Sequence, residues 1–339
     1  MISSHLPTMI PEHVGQTFFG RSALVTGGTG LIGREVVRRL CDFGSNVRSA
    51  SLDDIPSDPR AEQVKADLTS LETCKDVTQG MDFVFHIAGI KGSVDITHAQ
   101  PASILVPLLL MNTSILEAAR LNRTARVVYT STIGAYGAAD TLRETNPDLN
   151  TAPMDLYPGW AKRMAELQIA AYLHQYETNN FSIVRPSNVY GPGDNFNPQS
   201  AMVIPSLMAR FADGENPLKV WGNGSAIRDF AFSTDVAEGI ILSLYYGTQN
   251  SFVNLGGTVC SISELVSTLA ELLNIEYQFD ETKPSGYPIR VMDSERARNW
   301  LGYKPRHDLK TGLSLTWDWY KSNRYEHKKR YDYFSRVPV

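Results

Sequence analysis

The run A-L-V-T-G-G-T-G-L-I-G, Ala23 to Gly33, constrains this chain more than any other stretch. A short apolar strand, Ala23 to Val25, feeds a glycine turn that opens a helix at Leu31. Gly27 permits the tight turn, Gly30 lets the backbone approach a pyrophosphate, and Gly33 lets the helix pack closely on the strand. Free amides at the helix start, at Leu31 and Ile32, then face phosphate oxygens. The spacing is G-x-x-G-x-x-G rather than G-x-G-x-x-G. Glycine turns alone also occur where nothing binds. The strand before and the helix after are what predict a dinucleotide site.

Downstream, the strand-like runs Asn46–Ser51, Glu62–Ala66, Asp82–Ile87, Arg126–Ser131 and Phe181–Val184 follow one another. Helical candidates Leu31–Phe43, Leu71–Gln79, Ser103–Leu121 and Trp160–Tyr176 lie between them. This alternation predicts an α/β fold, a Rossmann-type doubly wound parallel sheet with its ligand at the carboxyl ends of the strands. After Tyr190-Gly191-Pro192, loops rich in Asn, Gly and Pro alternate with short helices at Val203–Ala212, Thr234–Tyr246 and Ile262–Leu273. The expected organisation is an extension over 1–20, a dinucleotide-binding domain over 21–190, a smaller mixed α/β substrate lobe over 191–324 and a tail over 325–339. The chain is free to cross back from the lobe to the sheet. The tail mixes basic and aromatic residues, Y-E-H-K-K-R-Y-D-Y-F-S-R, and a docked or frayed terminus is favoured over a partner site.

A net charge of −4 argues against nucleic-acid binding through a basic surface. Cys41, Cys74 and Cys260 are scattered, with no pair at metal-ligand spacing, so neither a metal nor a disulfide framework is expected. No apolar run reaches transmembrane length, and the opening residues lack the basic start and apolar core of a signal peptide. A cytoplasmic protein without a membrane partner is the expectation.

The strand ends carry the candidate chemistry. Ser51 stands where an acid usually takes the ribose hydroxyls, and Asp53 follows two residues later. No Arg or Lys follows directly in S-L-D-D. Only Arg34 and Arg48 are placed to serve a 2′-phosphate, so NAD is expected rather than NADP. Asp67-Leu68 follows the third strand, where Asp67 either accepts from an adenine amine or caps the helix near Leu71. In H-I-A-G-I-K-G, Ala88 and Gly89 let the backbone pass under a cofactor. Lys91 either stays solvated or reaches a phosphate or sugar. Hydroxyls of Ser131 and Thr132 end the fifth strand in Y-T-S-T-I-G-A-Y-G. Alone they satisfy loop backbone. Lys162, on the next helix, shifts the balance, because a lysine beside a nicotinamide can hold the ribose and lower the pKa of a nearby phenol.

The glycine turn, D-L, T-S-T-I-G-A-Y-G, the lysine helix and R-P-S-N-V-Y-G-P together resemble an extended short-chain dehydrogenase/reductase, the NAD-dependent epimerase/dehydratase group, over roughly Arg21 to Tyr320. The second half is most similar to GDP-L-fucose synthases and related nucleotide-sugar epimerase/reductases. That likeness rests on G-P-G-D-N-F-N-P, V-I-P, V-W-G-N-G-S-A-I-R-D-F and K-P-S-G-Y-P-I-R. It implies that Thr132 holds the catalytic Ser/Thr position with Ser131 beside it, and that Lys162 is the family lysine. Pro186 and Asn188 would line the nicotinamide and the substrate diphosphate. Asn197, Val203, Trp221 and Arg228 would face substrate, with Arg228 on its phosphates and Arg290 closing over the nucleotide. Either arginine can instead be a surface ion pair. A homodimer through the helices Ser103–Leu121 and Trp160–Tyr176 is also implied.

Two departures stand out. The family signature is Tyr-x-x-x-Lys, yet Pro158 stands four before Lys162, and Tyr157 is the nearest tyrosine. Pro158 suits a first helical position, which would leave Tyr157 just ahead of the helix, able to act as the acid/base; otherwise Tyr157 only packs, and Lys162, Thr132 or the substrate itself handles the proton. The cysteine and histidine that fucose synthases use for double epimerisation are also missing, because Thr130 to Gly137 holds no cysteine and the histidine position is Met202. The expected activity is nicotinamide-dependent oxidation, reduction or epimerisation of a nucleotide-diphosphate sugar, a GDP-sugar favoured, with hydride transfer at C4. The alternatives are a tightly NAD-bound C4 dehydrogenase or keto-sugar epimerase and, in another class, a catalytically silent dinucleotide sensor.

Overall fold

Val127, Val128 and Tyr129 are fully buried, as a strand covered on both faces requires. They lie on an interior strand of a seven-stranded sheet in the computed structural model, which describes residues 8–90, 92, 94–145, 150–197, 200–331 and 333–334. The strands are β1 (Ser22–Thr26), β2 (Asn46–Ser51), β3 (Glu62–Lys65), β4 (Phe83–His86), β5 (Arg126–Thr130), β6 (Phe181–Pro186), β7 (Asn188–Tyr190), β8 (Leu218–Trp221), β9 (Ile227–Phe232), β10 (Phe252–Leu255), β11 (Thr258–Ser261), β12 (Tyr277–Asp280) and β13 (Ile289–Arg290). The helices are α1 (Glu12–Thr17), α2 (Gly33–Asp42), α3 (Leu71–Thr78), α4 (Val94–Ala99), α5 (Pro101–Leu121), α6 (Leu156–Tyr176), α7 (Val203–Ala212), α8 (Ser233–Tyr246), α9 (Ile262–Leu273), α10 (Glu295–Leu301) and α11 (Leu309–Asn323).

The main sheet runs β10-β6-β5-β4-β1-β2-β3, with every pair parallel. This is the Rossmann-type sheet expected from the strand and helix alternation. Strand order reverses between β1 and β4, so the crevice at their carboxyl ends is the topological switch point. Apolar residues of α1, α2 and α8 cover one face and those of α3, α5 and α6 the other. Phe18 and Val14 of the N-terminal extension are buried in the first of these layers. β10 returns to the sheet beside β6 after the chain has left it at β7.

β9 is the spine of the smaller mixed sheet, antiparallel to β11 and parallel to β7 and β13. A third core of α7, α9, α11 and these short strands fills the lobe. Local chemistry fixes the helix starts. Ser261 and Glu264 form a reciprocal capping box on α9, and Asp308 caps α11 through the Thr311 amide.

By length and composition α5 is apolar enough to cross a membrane, which corrects the expectation that no run reaches that length. About half of that stretch is buried in the protein, with Ile104, Leu108, Ile115 and Leu116 in the core. The start of α6 also differs from expectation. It begins at Leu156 rather than Trp160, so Tyr157 lies inside the helix and Pro158 is its third residue.

α2 is seated through Gly33, where an added Cβ would overlap the Gly27 carbonyl oxygen and crowd Gly28. Gly33→Ala is therefore expected to lower unfolding stability by about 1–3 kcal/mol, the range for overpacking a tight site. Urea denaturation measures it, and an unchanged midpoint would refute the tight seating.

Candidate active site

At the switch point the backbones of two strand ends meet. A Cβ on Gly27, at φ +68°, would lie 2.8 Å from the Ala88 Cα. Gly30 N–H donates to the Gly27 carbonyl and closes the turn. The amides of Leu31 and Ile32 meet no acceptor among the described residues, which leaves them to an anion. Thr29 Oγ1 donates to Asp53 at 2.5 Å, so the end of β2 is tied to the glycine turn. Ser51 turns inward, its hydroxyl bonded to Gln63 and to the Asp53 carbonyl. Asp67 is exposed and accepts from the amide and hydroxyl of Thr69, while Ser70 caps α3. The helix-capping alternative for Asp67 is thereby corrected. Leu68 is core. Lys91 lies outside the described residues.

A buried chain of hydrogen bonds supports the floor of the crevice. Thr26 Oγ1 accepts from the amides of Ile87 and Ala88, so its proton goes to His86 Nδ1 at 2.8 Å. His86 must then carry its proton on Nε2 and donate to Asn112 Oδ1 at 2.9 Å. Burial, with the Lys162 charge second, pushes the His86 pKa down to about 3.

Lys162 reaches this floor from α6. Its Nζ donates to the Thr130 carbonyl at 2.7 Å and stands 5.0 Å over the Tyr129 ring. A Cβ on Gly89 would come within 3.8 Å of the same nitrogen. Burial pushes the Lys162 ammonium down to about 8, opposed by the Glu166 carboxylate one turn along. Glu166, unremarked in the sequence, is the hub of the site. It accepts from Ser131 Oγ at 2.5 Å and forms a two-pronged ion pair with Arg185. Arg185 has no exposed side-chain surface and lies between the rings of Tyr136 and Phe252. The i, i+4 spacing from Lys162 was the only sequence signal for Glu166.

These bonds separate the two hydroxyls. Ser131 spends its proton on Glu166. Thr132 Oγ1 accepts from the Gly134 amide at 3.1 Å and keeps its proton for another group. Tyr157 does not join them. Five residues from Lys162 it stands about 140° around the helix. It is exposed in a stripe with Trp160, Met164 and Leu167.

The lobe faces the crevice with two arginines. Arg290 of β13 is in register with Arg228 of β9. Arg290 pairs with Asp155, at the start of α6, at 2.8 Å. Arg228 donates to the carbonyls of Ile227 and Ser285 and meets no carboxylate among the described residues. Burial, then the charge of Arg290, lowers its pKa. Trp221 at the end of β8 is exposed, with Lys283 Nζ 5.8 Å from its ring. Pro186 ends β6, and the Asn188 side chain donates to the Asp229 carbonyl. Asn197 accepts amides of Ser200 and Ala201 in the loop ahead of α7, and Val203 opens that helix. Among the described residues no group of His, Cys, Asp and Glu is arranged to hold a metal.

The family model of the NAD dependent epimerase/dehydratase family matches residues 23–256. A putative GDP-L-fucose synthase 2 of Arabidopsis thaliana is 28% identical over 90% of this chain and 93% of its own length. A dTDP-4-dehydro-6-deoxy-D-allose reductase of a Streptomyces species is 30% identical over 90% of this chain and 98% of its own. Among solved structures, DesIV, a dTDP-glucose 4,6-dehydratase from Streptomyces venezuelae with NAD and TYD bound, superposes with a TM-score of 0.78 at 26% identity. It covers 89% of this chain and 98% of its own.

The pKa of His86 sets a pH signature. The unfolded imidazole takes a proton below about 6.5, whereas the folded one resists until about 3. Stability is therefore expected to fall with pH through that window, by up to about 1.4 kcal/mol per unit from this group. His86→Gln should lose that part of the slope in urea titrations. An unaltered slope would mean that His86 takes its proton in the folded state.

Proposed function

The chain belongs to the NAD dependent epimerase/dehydratase family, and we propose that it is an enzyme that transfers hydride between a nicotinamide and a nucleotide-diphosphate sugar. The observation that carries the proposal is Arg228, a half-buried guanidinium beside Arg290 that, among the described residues, meets only carbonyls. A diphosphate would supply the anion that Arg228 lacks, and phosphate oxygens suit its planar fork. Trp221 offers an apolar face to the base or sugar beyond it. A GDP-sugar is favoured, from the likeness to GDP-L-fucose synthases.

The glycine turn fits a dinucleotide. Its amides at Leu31 and Ile32 suit the pyrophosphate, and Asp53 suits the adenosine ribose. NAD is favoured over NADP, because the two cations placed near a 2′-phosphate are already paired, Arg34 with Glu326 and Arg48 with Glu62. When bound, the nicotinamide supplies or accepts the hydride. The Lys162 ammonium holds the ribose, and Thr132 hydrogen-bonds the reacting sugar oxygen, most simply at C4. Met202 offers no acid or base, so double epimerisation is not part of this reading. The exposed apolar stripe of α6 and its neighbours Val106 and Leu110 on α5 suit a homodimer through these helices.

Titration with GDP-, UDP-, CDP- and dTDP-sugars, read by thermal shift, is expected to select one nucleotide class. Arg228→Ala should weaken that binding by about 2–3 kcal/mol, the scale of a lost charge-assisted hydrogen bond. Equal affinity in wild type and variant would remove Arg228 from the site.

The two hydroxyl-bearing candidates separate in single-turnover hydride transfer. Thr132→Val is expected to slow it by about 10²-fold or more, the scale of general acid–base help, whereas Tyr157→Phe leaves it within about twofold. A slow Tyr157→Phe enzyme would return the phenol to the reaction.

A further inference from the structure

The described part of the C-terminal tail, 325–331 with 333 and 334, is docked on the molecule. It lies across the carboxyl edge of the parallel sheet, anchored to the segments that follow β1, β2 and β4. Glu326, in a 3-10 turn over Glu326–Lys329, pairs with Arg34 of α2 at 2.5 Å. Arg330 bonds back to Glu326 at 3.0 Å and donates to the Gly193 carbonyl at 2.8 Å. The Tyr331 amide donates to Asp53 Oδ1 at 2.6 Å. The Phe334 ring then lies beside Gly92, where an added Cβ would stand 3.2 Å from its Cζ. Burial chiefly, with the charges of Tyr331 and Asp67 behind it, raises the Tyr333 phenol.

These anchors lie in the segments that follow β1, β2 and β4, neighbours on the edge along which a dinucleotide lies in a sheet of this topology. One of them is Asp53, the carboxylate suited to the adenosine ribose. Its second oxygen is held by Thr29 of the glycine turn. A segment that only packed against the surface would have no need of that carboxylate.

We propose that Glu326 to Tyr331, with Tyr333 and Phe334, form an outer wall of the cofactor site, a strap that closes over its adenosine half and slows release of the cofactor. The proposal rests on the reading of the crevice as a dinucleotide site. Glu326 holds the strap to both lobes, through Arg34 on α2 and through Arg330 on the Gly193 loop. The Tyr331 amide orients Asp53 for the ribose hydroxyls. The aromatic end covers the segment that follows β4.

NADH binding and release, followed by its fluorescence in full-length protein, tests this. Tyr331→Pro deletes the amide hydrogen that meets Asp53, and the pair Glu326→Gln with Phe334→Ser releases the strap at both ends. Both changes lie in the tail; Phe334 packs on the rim of one core, whereas Tyr331 belongs to none, so Tyr331→Pro is the variant that leaves the three cores untouched. Each is expected to speed NADH release by about tenfold or more, the usual seat of affinity changes. Bound NADH should also slow tryptic cleavage at Lys329 and Arg330. Wild-type release rates in both variants would overturn the strap. So would faster cleavage in the presence of NADH, because that describes a plug which the cofactor expels. If wild type and variants all bind neither NADH nor NADPH, the dinucleotide reading itself fails. Binding by the variants alone leaves that reading intact and overturns the strap.

Discussion

The structure depends on one close contact, that of Gly33 with the Gly27 carbonyl. Without a Cβ at Gly33, α2 starts directly against the turn that leaves β1. The same turn presses Gly27 onto the Ala88 backbone at the end of β4. Those two contacts bring the amides of Leu31 and Ile32, the end of β2 and the end of β4 to one edge. The edge lies where strand order reverses, so no crossover connection fills it. Packing geometry rather than any single polar group thus creates the crevice.

Buried charge then fixes the lobes around it. Glu238 of α8 accepts from Arg39 of α2, from Arg306, and from Thr8 and Met9 of the N-terminal segment. Asp235, one turn earlier on α8, takes the amides of Arg306 and His307 and the His307 ring. Removal of one partner would strand a charge in the interior, so these hubs resist piecemeal change. Glu166 and Arg185 do the same beneath the candidate site. Their pairing commits Ser131 and leaves Thr132 as the hydroxyl with a proton to give.

Much of the fold was legible because the central strands are continuous apolar runs and the glycine turn has a fixed meaning. Strands β1 to β6 and helices α2 to α9 other than α4 were read within a few residues. The short strands β7 to β13 were not. Most span three or four residues, too few to establish a period even where burial alternates strictly, as in β8. The helix phase of Tyr157 was misjudged because Pro158 is equally compatible with the first turn at any of its positions lacking an internal N–H bond. Glu166 and Arg185 escaped notice because their pairing joins a helix to a strand across the core. The docking of the tail was hidden for the same reason, since its partners Arg34 and Asp53 lie about 300 residues earlier.

Arg228 bears on whether such a chain catalyses or only senses a dinucleotide. Two guanidinium groups in register repel, and half-burial deepens the cost. Arg290 is compensated by Asp155, whereas among the described residues Arg228 has only carbonyl acceptors. A protein that bound a dinucleotide alone would gain nothing from an uncompensated cation on its other lobe. An anionic second ligand removes the repulsion and couples the lobe to α6 through the Arg290–Asp155 pair. That ligand would be held opposite Lys162 and Thr132, the groups suited to a nicotinamide and a reacting oxygen. The cost of keeping Arg228 thus favours a two-substrate enzyme over a sensor.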